Sequence, residues 1–180
     1  MRYRLALTGL IMLAVAGCGL GSQPVVGGPG ACPSASGNTQ LLRSDEHRYC
    51  LLHPKGYTTT EPNPQETVIA NGTLPDAEHP RATISVHNAN GSTASEIAAG
   101  IVADAEASLS DWSVRQSASI VGGETAIVLD NLPGQDISRQ VIVVRDDQVY
   151  NLSFVPTGTE TSPEMDELYK SVVDSFRFIP

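Results

Sequence analysis

The sequence predicts an α+β domain in which an antiparallel sheet of about six to seven strands carries two packed helices. Three observations predict this fold class. Short β-branched or alternating apolar segments recur along the chain, two longer segments have the periodicity of amphipathic helices, and the strand-like segments in the second half are joined by very short links. Short links join antiparallel neighbours, and helices between such strands pack on the sheet.

The length and composition allow one globular domain behind an N-terminal address segment. The chain has 180 residues, of which 41% are hydrophobic, and its aromatic share of 5% predicts an aliphatic core. We divide it into residues 1–17, 18–40 and 41–180. A net charge of -9 makes nucleic acid and anionic lipid headgroups poor partners.

The first segment has the features of an export signal. Arg2 and Arg4 precede an apolar stretch, residues 5–15, that is shorter than the roughly 20 residues of a membrane-spanning helix. Val15-Ala16-Gly17-Cys18 then resembles the lipobox of bacterial lipoproteins. That resemblance implies that residues 1–17 are a signal peptide, that lipid is attached to Cys18, and that the protein sits on the outer face of a bacterial membrane. An ordinary signal peptide with an incidental cysteine is the alternative.

Residues 18–40 are rich in Gly, Pro, Ser and Ala, which predicts a flexible tether behind the lipidated cysteine. Cys32 and Cys50 are the only cysteines after Cys18, and an even pair in an exported domain is usually a disulfide. The rival interpretations are a free reactive thiol and a metal-binding pair. The spacing is not C-x-x-C and no histidine cluster accompanies it, so we expect the disulfide.

In the first half of the domain, strands are expected at residues 48–53, 67–70 and 82–86, with a loop at Pro62-Asn63-Pro64. A helix follows over residues 92–109. Ser92 or Thr93 can cap it, and Glu96 places a carboxylate near its positive end. Its apolar stripe recurs every four residues, at Ile97, Ile101, Ala105 and Leu109.

In the second half, four strands at hairpin spacing are expected over residues 113–120, 125–130, 138–145 and 149–155. Gly122-Gly123 and Asp146-Asp147 supply two of the turns. The second helix begins with Ser162 as cap and Pro163 at the first position. Residues 176–179 form a closing strand. The apolar face of this helix comprises Met165, Leu168, Tyr169, Val172 and Val173.

This order of elements resembles the PsbP-like and Mog1-like α/β/α sandwich proteins, and three segments carry the resemblance. Residues 49–57 are similar to the family's opening strand with its Pro-x-Gly-aromatic end, residues 121–126 to its Gly-Gly hairpin, and residues 149–156 with 168–177 to its last strand and helix. The resemblance implies a non-enzymatic role, since photosystem-associated members assist assembly at a membrane complex and Mog1-like members bind a small GTPase.

The residues themselves predict no catalytic, metal or cofactor site. His47, His53, His79 and His87 lack helical ligand spacing, and we expect exposed or strand-edge structural histidines. Asp146-Asp147 supplies too few oxygens for calcium, which favours a plain turn. Acidic residues cluster near the start of the second helix, where negative charge interacts favourably with the positive end of the helix dipole. An acidic docking face is the alternative interpretation. These residues are Glu160, Glu164, Asp166 and Glu167. Trp112 is expected in the core or at its rim.

We therefore expect a membrane-anchored, non-catalytic binding or assembly module that has a protein partner and no cofactor. One alternative is an envelope hydrolase that uses carboxylates or a bound cation, and it would require a deep pocket of convergent acids or histidines. The other is a small-ligand carrier, which would require an apolar cavity between the sheet and the helices.

Overall fold

The computed structural model describes residues 30–71, 80–109, 112–157 and 162–180. Within them the chain forms two antiparallel sheets and two helices, and the predicted α+β class is confirmed. None of the helices in these ranges is long and apolar enough to cross a membrane. The elements are β1 Thr39–Ser44, β2 Tyr49–Pro54, β3 Thr58–Asn63, β4 Glu66–Ala70, β5 Arg81–Asn88, α1 Ala94–Ser108, β6 Arg115–Val121, β7 Glu124–Leu132, β8 Ser138–Arg145, β9 Gln148–Val155, α2 Pro163–Ser175 and β10 Arg177–Phe178.

The large sheet has seven strands in the order β3-β4-β5-β9-β8-β7-β6, and every neighbouring pair is antiparallel. Three hairpins in the described part of this sheet have two-residue turns, at Pro64-Gln65, Gly122-Gly123 and Asp146-Asp147. The last two turns share one backbone feature. All four of these residues have positive φ, which is the requirement of the two-residue type I′ turn. Glycine meets that requirement without a steric penalty, and aspartate is among the residues that tolerate it.

The small sheet has three strands in the order β1-β2-β10. The predicted opening strand, β2, and the predicted closing strand, β10, therefore belong to this sheet and not to the large one. Strand β10 pairs only with Tyr49 and Cys50 of β2. Further along β2, the backbone of Leu52 forms hydrogen bonds with side chains of helix α2 instead. The Leu52 N–H donates to Ser175 Oγ at 2.7 Å, and Ser171 Oγ donates to the Leu52 carbonyl at 3.3 Å.

Both helices begin where the sequence predicts. Thr93 caps α1 in a capping box: its Oγ1 accepts from Glu96 N, and its own N–H donates to Glu96 Oε2. The Thr93 N–H, and after it the Thr93 hydroxyl, which also donates to Glu96 Oε2 at 2.8 Å, lower the pKa of the Glu96 carboxyl. Ser162 caps α2 with Pro163 at its first turn. Leu109 does not join the buried stripe predicted for α1, because it lies past the last helical turn and is 46% exposed.

The large sheet separates two apolar cores. Helix α1 covers β7 and β8 on one face, where Ala98, Ile127, Leu129 and Ile142 are buried. On the other face, α2 and the small sheet cover a larger core. The resulting order of layers is α1, large sheet, then α2 with the small sheet, so the predicted sandwich is present.

The larger core is not purely aliphatic, and the expectation of an aliphatic core is wrong. All three phenylalanines of the chain are buried. Tyr49 stacks on Phe176 with ring centroids 5.3 Å apart, and Tyr150 meets Phe178 edge to face at 4.9 Å. The low aromatic share of the whole chain therefore does not indicate that its aromatic rings are concentrated in this one core. The buried members of this group are Tyr49, Tyr150, Phe154, Phe176 and Phe178.

Two strands are absent from the sequence-based assignment. Strand β1 begins at Thr39, within the segment assigned to the tether, and β3 runs through Pro62, where a loop was expected. The expected strand at residues 48–53 starts one residue later, because Arg48 has φ 55 and belongs to the preceding turn. Proline is compatible with β3 because that strand lies at the sheet edge, where an unpaired N–H position faces outward.

Candidate functional site

A cleft of about 360 Å³ opens where turns of the two sheets meet, and we call it the turn cleft. One wall is the β1–β2 turn, residues 45–48. The second is the β8–β9 turn at Asp146-Asp147, and the third is the C-terminal segment after β10. Its lining comprises Glu46, His47, Arg48, Val86, Arg145, Asp146, Gln148, Tyr150, Phe178 and Ile179.

Two adjacent residues of the β1–β2 turn make three contacts with the large sheet and one with the C-terminal segment. Tyr150 Oη donates to the His47 carbonyl at 3.0 Å, and His47 Nε2 lies 2.6 Å from the Pro64 carbonyl. Because a carbonyl oxygen only accepts, this geometry places a proton on Nε2. Arg48 adds an ion pair with Asp146, 3.2 Å between Nη2 and Oδ2, and its carbonyl accepts from Ile179 N at 2.9 Å.

The β8–β9 turn uses its two carboxylates for two different contacts. Asp147 Oδ1 accepts from Gly91 N at 2.8 Å and its carbonyl accepts from Ala89 N at 2.8 Å, which fixes the entry to α1. Asp146 instead faces the turn cleft, where its Oδ2 meets Arg48 and also Arg145 Nε at 3.6 Å. The predicted plain turn is therefore present, and its carboxylates organise the neighbouring loops.

The floor of the turn cleft is aromatic. The Arg145 guanidinium lies 4.8 Å from the centroid of the Phe178 ring, and Tyr150 packs edge-on against the same ring. Burial raises the pKa of the Tyr150 hydroxyl, which stays a neutral hydrogen-bond donor. Gly122 lies next to the same ring: a Cβ there would lie 2.7 Å from Phe178 Cδ2.

The charged groups of this arrangement can recognise a polar partner. Arg48 and Arg145 keep half and one third of their side chains exposed, at 50% and 34%, and they flank a single carboxylate. Partly exposed guanidinium groups, one of them over an aromatic ring, suit planar carboxylate groups of a partner. Glu46 and Gln148 add an acceptor and an amide to the rim.

No protein-family model matches the chain, and no curated protein matches it at a significant level. Solved structures do match it. The solution structure of cyanobacterial PsbP (CyanoP) from Synechocystis sp. PCC 6803 superposes with a TM-score of 0.54 at 12% identity, over 83% of this chain and 98% of that one. The crystal structure of Mog1p, a Ran-binding protein of Saccharomyces cerevisiae, gives 0.52 at 11% identity, over 80% and 97%. The chain has the PsbP/Mog1-like fold.

Within this PsbP/Mog1-like domain, the predicted site residues fall in different places. Cys18, the expected lipidation site, lies outside the described residues, as do His79 and Glu160. Cys32 and Cys50 are joined by a disulfide with their Cα atoms 5.7 Å apart. Cys50 is buried in β2, so the bond ties the segment before β1 to the centre of the small sheet.

The described histidines have three separate environments. His47 belongs to the turn cleft, and His87 is exposed in β5. His53 differs from the expected exposed or strand-edge type, since it is only 2% exposed in β2, the middle strand of the small sheet. Burial lowers its pKa, and the contact of Nδ1 with the Pro54 carbonyl opposes that effect. Trp112 is half-buried at the rim and donates from Nε1 to the Asn131 carbonyl.

No local residue pattern predicts the turn cleft as a site. Its parts lie about a hundred positions apart, and Arg48 and Asp146 meet only because the small sheet folds over one end of the large one. The one usable signal was the Asp146-Asp147 turn, whose position next to β9 fixes where the carboxylates point. Among the described residues, no group of three or more His, Cys, Asp or Glu side chains is placed to hold a metal ion.

Proposed function

We propose that this protein is an exported lipoprotein, anchored through lipid on Cys18 to the outer face of a bacterial membrane. We further propose that its domain is a non-catalytic binding or assembly module for a membrane or envelope protein complex. In this proposal residues 1–17 are the signal peptide, residues 18–40 carry the lipid and the tether, and the turn cleft contacts the protein partner.

The observation that carries the proposal is the point at which the tether enters the domain. Gly30 packs against the C-terminal segment: a Cβ there would lie 3.3 Å from Pro180 Cδ and 4.0 Å from the Phe178 carbonyl. The same segment forms one wall of the turn cleft. Eleven residues lie between Cys18 and Gly30, and a flexible chain of that length has a root-mean-square reach of about 20 Å. A lipid on Cys18 would therefore keep the turn cleft near the membrane surface.

The disulfide strengthens this link between anchor and cleft. It fixes Cys32 to Cys50, two residues from Arg48 of the cleft wall. The anchor is therefore connected to the small sheet through a covalent bond at Cys32 as well as through the main chain. The cleft would be free to tilt but would stay within reach of a membrane-embedded partner.

A binding role is supported by the fold and by the chemistry of the cleft. The protein of known structure Mog1p is described as Ran-binding, and the superposition covers nearly all of it. In the turn cleft, Asp146 is engaged by Arg48 and Arg145, which leaves partly exposed guanidinium edges for a partner. Such edges recognise carboxylates and main-chain carbonyls at protein surfaces.

The envelope hydrolase and the small-ligand carrier gain no comparable support. A hydrolase would need acids or histidines that converge on a substrate, whereas Asp146 and Asp147 hold loops together. A carrier for an apolar ligand would need a cavity between the sheet and a helix. The turn cleft does not meet that requirement, because it lies between loops and charged or amide side chains form much of its lining. The hollow of about 390 Å³ between α1 and β7–β8 meets it only in part, since Asp104, Ser108 and Gln140 join its apolar lining.

The anchor is tested by replacing Cys18 with Ser in the full-length chain. Wild-type protein should partition into the detergent phase and should yield an N-terminal Cys18 peptide with the mass of a lipid adduct. The variant should lose both properties, while the control Ser22→Ala, in the tether, should retain them. Detergent partitioning that survives Cys18→Ser would overturn the anchor.

The binding site is tested by site-specific photocrosslinking in intact cells. A photoreactive residue at Gln148, in the turn cleft, should crosslink to one membrane or envelope protein. The same residue at Thr59, on the exposed edge strand β3, serves as the matched control and should not. Arg145→Gln should weaken the Gln148 crosslink by removing a guanidinium from the cleft. Equal crosslinking at both positions, or none at Gln148, would contradict the assigned binding surface.

A further inference from the structure

The two edges of the large sheet are protected very differently. Edge strands expose unpaired N–H and C=O groups, and proteins usually guard them with proline, charges or bulges. Strand β3 has all three kinds of guard: Glu61, Pro62 and a register shift between Thr60 and Asn63. Strand β6, at the opposite edge, has none of them over residues 116–121.

Strand β6 is also long, regular and nearly uncharged. It pairs with β7 without a shift at all seven of its residues, and its only charged side chain is Arg115 at one end. Ile120 lies on it and is 66% exposed, more than Leu41 at 43% or Leu109 at 46%. In a chain with a net charge of -9, this edge is free of acidic residues. It can therefore approach a second copy without a clash of like charges.

The hairpin fixes which backbone groups of β6 point outward. Gly122 and Gly123 alone separate the paired residues Val121 and Glu124, and the pair that flanks a two-residue turn exchanges both hydrogen bonds. Bonded and non-bonded pairs alternate from there along an antiparallel ladder. The N–H and C=O groups of Gln116, Ala118 and Ile120 consequently point away from β7, and no described strand pairs with them.

We propose that β6 pairs antiparallel with β6 of a second copy of this chain, about a twofold axis at Ala118. In that register Ala118 faces Ala118, and Gln116 faces Ile120 in both directions. These are the three residues whose backbone groups point outward, so every free group meets a partner. The two large sheets then form one continuous sheet, and the inference does not depend on the proposed function.

The side chains fit the same register. Ile120 of one copy lies beside the aliphatic stem of Gln116 and diagonal to Ala118 of the other, which covers its exposed surface. Ser117 faces Ser119 on the opposite face of the sheet. The two Arg115 residues lie at opposite ends of the joint, about 20 Å apart at 3.4 Å per residue, where salt screens their repulsion. An interface made by one pair of strands buries little surface area, so we expect a dimer with a dissociation constant in the micromolar range or above.

A cysteine at the axis tests the register directly in the full-length protein. Paired Cα atoms that exchange hydrogen bonds lie about 5.5 Å apart, which is within the span of a disulfide. In a Cys18→Ser background, which removes the third cysteine of the chain and is used for every variant of this test, Ala118→Cys should therefore give a covalent dimer under mild oxidation. Thr59→Cys, on the guarded edge strand β3, is the matched control and should remain monomeric. Adding Ile120→Lys to Ala118→Cys should abolish the dimer, because the lysines place charge beside the joint.

Amide exchange gives a second test that needs no substitution. The amides of Gln116, Ala118 and Ile120 should exchange more slowly as the concentration rises, by about tenfold when about nine-tenths of the chain is dimeric. Those of Ser117 and Ser119 should not change, because they already donate to β7. Protection of both sets, or of neither, would overturn the proposal. So would an Ala118→Cys variant that stays monomeric, or one that crosslinks to a different protein.

Discussion

Arg48 Nη2 lies 3.2 Å from Asp146 Oδ2, so one ion pair joins the turn of the small sheet to a turn of the large sheet. Both side chains are at least half exposed, at 50% and 61%, and such pairs stabilise a fold by about 0.2–1 kcal/mol. A double-mutant cycle with Arg48→Gln and Asp146→Asn should give a coupling energy in that range, measured by urea denaturation. Asparagine is chosen because it tolerates the positive φ of Asp146.

The coupling energy should fall when salt is added, since exposed charges are screened. Arg43→Gln provides the control, because Arg43 pairs with Asp45 on the same turn but does not reach the large sheet. A coupling energy above about 2 kcal/mol that salt does not reduce would mean that the pair is desolvated, contrary to its exposure.

The two glycines of the β6–β7 turn should differ sharply in their tolerance of alanine. Both have positive φ, 61 for Gly122 and 90 for Gly123, so either alanine carries a backbone penalty of about 1–2 kcal/mol. Only the Gly122 position is crowded, with Phe178 Cδ2 2.7 Å from an added Cβ and nothing within 4 Å at Gly123. Gly122→Ala should therefore cost about 1–3 kcal/mol more than Gly123→Ala in urea denaturation. Equal losses would show that Phe178 moves aside freely.

The elements that sequence patterns predicted well are those whose signals are local. Helix α2 begins at the expected Ser162-Pro163 start, and both type I′ turns fall at their Gly-Gly and Asp-Asp pairs. Strands β1 and β3 escaped prediction because tertiary pairing decides them. Strand β1 sits in a segment rich in turn-forming residues and is held by its register with β2. All six residues of β3 are exposed, so it carries no buried periodicity.

The site was less predictable than the fold. Residue patterns correctly paired Cys32 with Cys50 as the expected disulfide, because that inference needs only composition and an exported context. The turn cleft depends instead on long-range packing. Phe178 lies against Tyr150 and Gly122 because β10 pairs with β2 in the small sheet, and no local pattern encodes that approach.

Removing the disulfide should lower the free energy of unfolding without changing the fold. Cys32 and Cys50 are separated by 18 residues, and closing a loop of that size stabilises a fold by about 3 kcal/mol in the chain-entropy model. Cys32→Ala combined with Cys50→Ala should lose about that amount in urea denaturation. Wild-type protein in reductant is the control, since it loses the bond but keeps both sulfur atoms. Thiols at these positions that react in unfolded, non-reduced protein would contradict the bond.

His53 should make the fold less stable below neutral pH. It is buried in β2, with Nδ1 3.3 Å from Gln40 Nε2 and 3.2 Å from the Pro54 carbonyl, and desolvation lowers its pKa below the usual 6.5. In the unfolded chain the ring regains its ordinary pKa. As the pH falls through about 6.5, the unfolded state therefore takes up a proton that the folded state does not, and stability declines. The urea midpoint should drop between about pH 7.5 and pH 5.5. His53→Gln should flatten that drop, whereas His87→Gln, at an exposed position, should not. A pH dependence that is unchanged in His53→Gln would assign it to other groups.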